Sequence, residues 1–162
     1  MQKNEILTLL QEKKIPYEIV EHPAVFTIEE AKELHLPHEE AIAKNLFLRD
    51  DKKRQYYLLT VQEDKHVDLK QFQEEHGTRR LSFASEEDLM TLLGLAKGSV
   101  TPFGLLNDTQ HKVLFYLDDA FQGLLVGIHP NENTAMVWLQ ADDLMKLLKE
   151  TGCECSYLSM NI

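Results

Sequence analysis

The sequence predicts a mixed α/β domain of the α+β type, with a mixed, largely antiparallel sheet surrounded by helices. Short segments of strand-like alternation recur along the chain, separated by amphipathic helical segments. They do not keep the strict strand–helix–strand rhythm of a doubly wound parallel fold. Hairpin-like pairs interleave with the helices, which favours antiparallel neighbours. With 162 residues, 43% of them hydrophobic and 27% charged, the chain suits one domain over residues 1–162 around one sizeable core.

The elements follow in order. Ile6, Leu7, Leu9 and Leu10 stripe a short helix over 3–14 that must end before Pro16. Tyr17 to Glu21 reads as a strand stopped by His22-Pro23, and Thr27-Ile28-Glu29-Glu30 has the form of a capping box opening a helix over 28–35. Pro37 breaks that helix, and His38 to Ala43 forms a further helical turn. Lys44 to Arg49 and Tyr56 to Gln62 are strands around a hairpin loop, Asp50 to Arg54.

Asp68 caps a helix carrying Leu69 and Phe72 and ended by Gly77. Ser85 opens another, with Leu89, Met90, Leu92 and Leu93 facing inward and Gly94 closing it. Gly98 to Gly104 is too rich in Gly and Pro for regular structure and reads as an ordered loop. Val113–Leu117, Leu124–Ile128 and Thr134–Trp138 are strands. A final helix over 141–150 with Leu144, Leu147 and Leu148 and a closing strand over 154–158 complete the domain.

Composition removes several classes of function. No apolar run approaches the roughly 20 residues of a membrane span, and the N-terminus lacks a signal-peptide core, so a cytoplasmic protein is expected. Cys153 and Cys155 are the two cysteines; on a strand they share one face, and they are expected to be structural thiols. A net charge of −10 argues against a sequence-reading DNA binder, which needs many phosphate contacts from Lys and Arg. It still permits capture of one nucleic-acid end by a local basic patch.

The usual hydrolase devices are missing: no G-x-S-x-G elbow, H-E-x-x-H, P-loop or G-x-G-x-x-G. His35 and His38 are split by Pro37 and read as surface histidines. Three segments stand out instead. Ala43-Lys44-Asn45-Leu46-Phe47-Leu48 puts a lysine at the mouth of an apolar strand, either a snorkelling edge residue or a charge aimed at a phosphate or oxyanion. Asn45 then points to the other face or meets the site through its backbone. Gly98-Ser99-Val100-Thr101-Pro102-Phe103-Gly104 can present N–H groups and hydroxyls to a carbonyl oxygen, or can be a rigid connector. His129, in Gly127-Ile128-His129-Pro130-Asn131-Glu132-Asn133-Thr134-Ala135, sits at a strand end beside a polar turn.

Taken together and in order, AKNLFL, GSVTPFG and GIHPNENTAMVWL resemble the YbaK/prolyl-tRNA editing-domain superfamily, and PYEIVEHPAVFTIEEAKEL extends the resemblance over essentially the whole chain. The pattern is most similar to the ProXp-ala (PrdX-like) branch. The resemblance implies the YbaK editing-domain fold and a cofactor-free, metal-free deacylase that removes a wrongly attached amino acid, alanine above all, from proline tRNA. It places the catalytic set on Lys44, Gly98 and His129, and substrate contacts on Asn45, Ser99, Val100, Thr101, Pro102 and Asn133. Ile28, Leu46 and Val100 are expected to help set the pocket volume.

The expected partners are the acceptor end of mischarged proline tRNA and prolyl-tRNA synthetase, with no membrane and no DNA. Lys44, Arg49, Lys52, Lys53 and Arg54 are expected to cluster around the first hairpin, with Arg79, Arg80 and Lys97 nearby, and to grip only the RNA end. Competing readings keep the chemistry with a Cys-, Ser- or other small aminoacyl substrate, or replace catalysis with a synthetase-associated binding module.

Overall fold

A computed structural model describes residues 1–24 and 28–160, and in it the strands divide between two sheets. The elements are α1 (Lys3–Glu12), β1 (Tyr17–Glu21), α2 (Ile28–Glu33), β2 (Ala43–Asp50), β3 (Tyr56–Gln62), α3 (Leu69–His76), β4 (Leu81–Phe83), α4 (Glu86–Leu93), β5 (Val113–Asp118), β6 (Leu125–Ile128), β7 (Ala135–Gln140), α5 (Ala141–Glu150) and β8 (Cys155–Leu158). The larger sheet runs β4-β2-β3-β5-β8 and the smaller β1-β7-β6. Pairs β2–β3, β2–β4, β1–β7 and β6–β7 are antiparallel, whereas β3–β5 and β5–β8 are parallel. The mixed, largely antiparallel α+β architecture is therefore as expected, with helices on both faces.

Helix ends are set by local chemistry. The Asp68 carboxylate accepts from the Lys70 and Gln71 amides, and the Ser85 hydroxyl accepts from Asp88. Gly77 and Gly94 end their helices at φ +64° and +65°, where a side chain is strained. The Thr27 capping box lies outside the described residues.

Three expectations need correction. Met90 is 55% exposed and faces out of α4, because the helix turns only Leu89 and Leu93 fully into the core, with Leu92 half-buried beside them. The Gly98–Gly104 stretch is not wholly irregular: a 3-10 turn spans Pro102–Asn107, capped by Thr101 with Pro102 as its first residue. The short strand β4, absent from the expected elements, pairs Phe83 and Leu81 with Leu48 and Asp50 of β2.

Side chains on one face of the large sheet (Phe47, Leu58, Phe115, Leu117) join the main core with α1, α4, α5 and the inner face of the small sheet. The other face (Leu48, Leu59, Val61) packs under Phe72 of α3. Cys153 is buried in the main core and Cys155 packs against it; the neighbouring Cys155 thiol and burial push the Cys153 thiol up, while Cys153 holds Cys155 below its usual range. A third cluster, Ala41, Met136 and Trp138, covers the outer face of the small sheet.

Gly127 and Trp138 are cross-strand partners, and a Cβ on Gly127 would stand 2.6 Å from the indole Nε1. Trp138 is fully buried and cannot retreat. Gly127→Ala is therefore expected to cost about 1–3 kcal/mol by overpacking. Denaturant midpoints followed by the fluorescence of this single tryptophan test it, and unchanged stability would contradict the packing.

Candidate active site

The two sheets join where Ile42, just before β2, forms a parallel bridge with Gly127 of β6. Lys44 and His129 each lie two residues beyond that bridge, so both leave the junction in the same direction. The Gly98 loop is fastened here by Thr101, whose fully buried hydroxyl donates to the His129 carbonyl at 2.6 Å. Gly98 itself lies against the turn after β6: a Cβ on it would be 3.8 Å from Asn133 Nδ2. Its φ of +87° is strained for any residue with a side chain. Gly98, Thr101, His129 and Asn133 are thus gathered by direct contact, and Lys44 by strand register.

Not every residue singled out in the sequence is placed to meet a ligand. Thr101 and Pro102 are buried and frame the loop; Thr101 also accepts from the Phe103 amide. Ser99 is buried, and its amide donates to the Ala96 carbonyl at 3.1 Å. Among the described residues the amides of Gly98 and Val100 donate to no carbonyl. Leu46 and Val100 pack against different apolar clusters, so they do not form one wall; the Ile28 side chain lies outside the described residues.

Lys44 and Asn45 point to opposite faces of β2, as alternation requires. Lys44 is half-buried and has no ion pair among the described residues. The Asn45 Oδ1 accepts from the buried Thr60 hydroxyl at 2.5 Å, which orients the amide and leaves its NH2 to donate.

His129 is half-buried, and its Nδ1 lies 3.0 Å from the Ala135 carbonyl. A carbonyl only accepts, so Nδ1 carries the hydrogen and Nε2 presents a lone pair. Burial holds the imidazole below its usual range, and the nearby His22 pushes the same way against the Ala135 bond. The ring is accordingly neutral at physiological pH. His22 was missed by sequence reasoning. Its ring centroid is 6.4 Å from that of His129, and its amide donates to the Thr134 carbonyl at 2.9 Å. The available signal was a repeated context: His22-Pro23 follows β1 as His129-Pro130 follows β6.

The expected basic cluster is split. Strand β2 separates Lys44 at one end from the hairpin loop at the other, about 20 Å away at the rise of an extended strand. Arg79 is bound to Asp51 at 2.6 Å, and the exposed Lys97 lies 3.6 Å from Glu86. Surface hollows along α1 and beside α5 and Tyr157 take in none of the residues gathered at the junction.

Comparison with known proteins shows what the chain is similar to. Residues 22–147 match the aminoacyl-tRNA editing domain family. The chain is 44% identical over 151 residues to the prolyl-tRNA editing protein ProX of Acetoanaerobium sticklandii, covering 93% of this chain and 92% of that one. It is 40% identical over 141 residues to the prolyl-tRNA synthetase associated domain-containing protein 1 of Mus musculus, covering 83% and 82%. A solved structure described as a candidate trans-editing enzyme for prolyl tRNA synthetase superposes with a TM-score of 0.71 at 25% identity, over 97% of this chain and 96% of that one.

The state of His129 can be read by NMR, with a titration midpoint expected below 6.5. The unfolded chain then takes up the proton first. This group's contribution to stability is therefore full above pH 6.5 and falls as the pH drops toward the folded value. A midpoint at or above 6.5 would show that burial does not dominate.

Proposed function

The chain belongs to the aminoacyl-tRNA editing domain family, and from that premise we propose that it is a trans-editing deacylase hydrolysing the ester that joins alanine to proline tRNA. The observation that carries this reading is the Gly98 loop, fastened to the His129 strand by Thr101 with two amides that donate to no described carbonyl, at the junction from which Lys44 also emerges.

The chemistry asks little of side chains. The Gly98 and Val100 amides supply donors for the ester carbonyl, whose oxygen gains negative charge as water attacks the carbon. Lys44 offers its positive charge to the terminal phosphate or to the polarised ester. The C–O ester bond then breaks, and the departing ribose oxygen takes a proton while the amino acid leaves as its acid. Neutral His129 accepts through Nε2 from the substrate amino group or ribose, and Asn45, whose side chain turns to the other face of β2, positions the same part of the substrate through its backbone. Neither acts as nucleophile, and a 2′-hydroxyl of the tRNA can assist the water. The residues assigned here need no metal.

Preference for alanine over proline follows if the space beside Val100 and Asn133 is too small for the proline ring, since steric exclusion discriminates more strongly than a missing methylene. The names of the relatives support proline tRNA and prolyl-tRNA synthetase as partners. No described helix is long and apolar enough to cross a membrane, which fits a protein acting on tRNA in the cytoplasm.

The test is deacylation of Ala-, Cys- and Pro-charged proline tRNA by wild type and Lys44→Ala. Wild type is expected to release alanine and spare proline, with activity undiminished in EDTA. Lys44→Ala is expected to lose about a hundredfold or more in rate, as when one oxyanion-stabilising group is removed. Release of cysteine in preference to alanine would move the substrate assignment, and no hydrolysis of any ester would favour a non-catalytic binding module.

A further inference from the structure

At the end of the large sheet remote from Lys44, six of the 17 basic residues converge: Lys52, Lys53, Arg54, Arg79, Arg80 and Lys112. All six are exposed. The β2–β3 loop that carries three of them is built around one carboxylate. Asp50, 4% exposed, accepts from the Lys52 and Arg54 amides at 3.1 and 2.9 Å, and its carbonyl accepts from Lys53. The loop therefore presents three consecutive cations from a fixed backbone. The Arg79 guanidinium grips Asp51 through two hydrogen bonds, which sets Arg79 and Arg80 beside the loop. Gln55 donates to the Lys112 carbonyl at 3.3 Å and brings that lysine to the same corner.

Four acids besides Glu154 stand at this end and offset part of the charge, Asp88 among them, close to Tyr56. Asp50 is buried in the loop, Asp51 is paired, and buried Asp108 accepts from the Lys112 and Val113 amides; Glu154 stands off at the start of β8. In a chain of net charge −10 this is a local reversal of sign, and such a patch attracts polyanions that the rest of the surface repels. From Lys44 to Asp50, where the loop begins, is six residues of extended strand, roughly 20 Å. One aminoacylated nucleotide bound at Lys44 does not reach that far. A paired RNA stem leading away from it does.

We propose that the β2–β3 hairpin end is a second RNA-binding surface, taking backbone phosphates of a double-stranded acceptor stem whose charged 3′ end lies at Lys44. This rests on the deacylase reading and extends it from the RNA end to the RNA body. Recognition here is by charge and helix shape, because neighbouring phosphates suit a row of cations and base edges are not required.

The experiment compares wild type with Lys52→Glu/Lys53→Glu/Arg54→Glu on two substrates: full-length alanyl-charged proline tRNA and an alanylated CCA trinucleotide with no stem. The variant is expected to raise KM for full-length tRNA about tenfold, to leave kcat unchanged, and to flatten the slope of log affinity against log salt by about two. Its KM for the trinucleotide ester should match wild type. Equal losses on both substrates, or none on full-length tRNA, would overturn the proposal. Binding of uncharged tRNA followed by fluorescence anisotropy reads the same surface without turnover. Hairpin-dependent, salt-sensitive binding with no hydrolysis would keep this surface and reject the deacylase. Hydrolysis without hairpin dependence would do the reverse.

Discussion

Gly127 lies in the strand that joins the two sheets, and its lack of a side chain is what the site depends on. The Trp138 indole occupies the space where any Cβ would be, and Ile42 pairs with the same residue from the other sheet. That contact brings the start of β2 alongside the end of β6 and so sends Lys44 and His129 out in one direction. A side chain at Gly127 would push apart elements whose positions are otherwise fixed by burial. The glycine is thus a structural requirement set by a close approach, one step removed from chemistry.

Around that junction, polar groups mostly hold one another rather than wait for a ligand. Thr101 ties the loop to the His129 carbonyl, Thr60 orients Asn45, and Ala135 fixes the His129 tautomer. The buried Thr101 and Thr60 hydroxyls would otherwise lack a partner, which makes their bonds worth keeping. In the proposed reading, the groups left to the substrate are two loop amides, the Asn45 backbone, the His129 Nε2 lone pair and the Lys44 ammonium. These groups act on charge and hydrogen-bond pattern, and none is an activated nucleophile. Such a set suits an ester, a bond that water can break once it is held and polarised.

The parts of the fold that were legible in the sequence are those decided by near neighbours. Asp68, Ser85, Gly77 and Gly94 mark helix ends because capping is a matter of three or four residues. The strands β1 and β3 were bounded correctly by proline and charge. The strand β4 was not, since three residues with Ser82 and Phe83 exposed carry no usable alternation. Met90 looked like core for the opposite reason: its hydrophobicity is local, but which helix face is covered depends on the sheet beneath.

By itself the sequence determined the class of domain and the helix caps and proposed the residues of the candidate site, because composition, periodicity and short motifs are properties of a chain read in order. The tertiary structure alone decided how those residues divide between contact and support. Thr101 and Pro102 stand beside Gly98 in the chain yet are buried as framework, while His22 joins His129 from 107 positions away. It also decided that Lys44 and the hairpin cations, neighbours in sequence, stand at opposite ends of one strand. Extended backbone converts a few residues into tens of ångströms, whereas a bridge between sheets brings distant segments within a hydrogen bond.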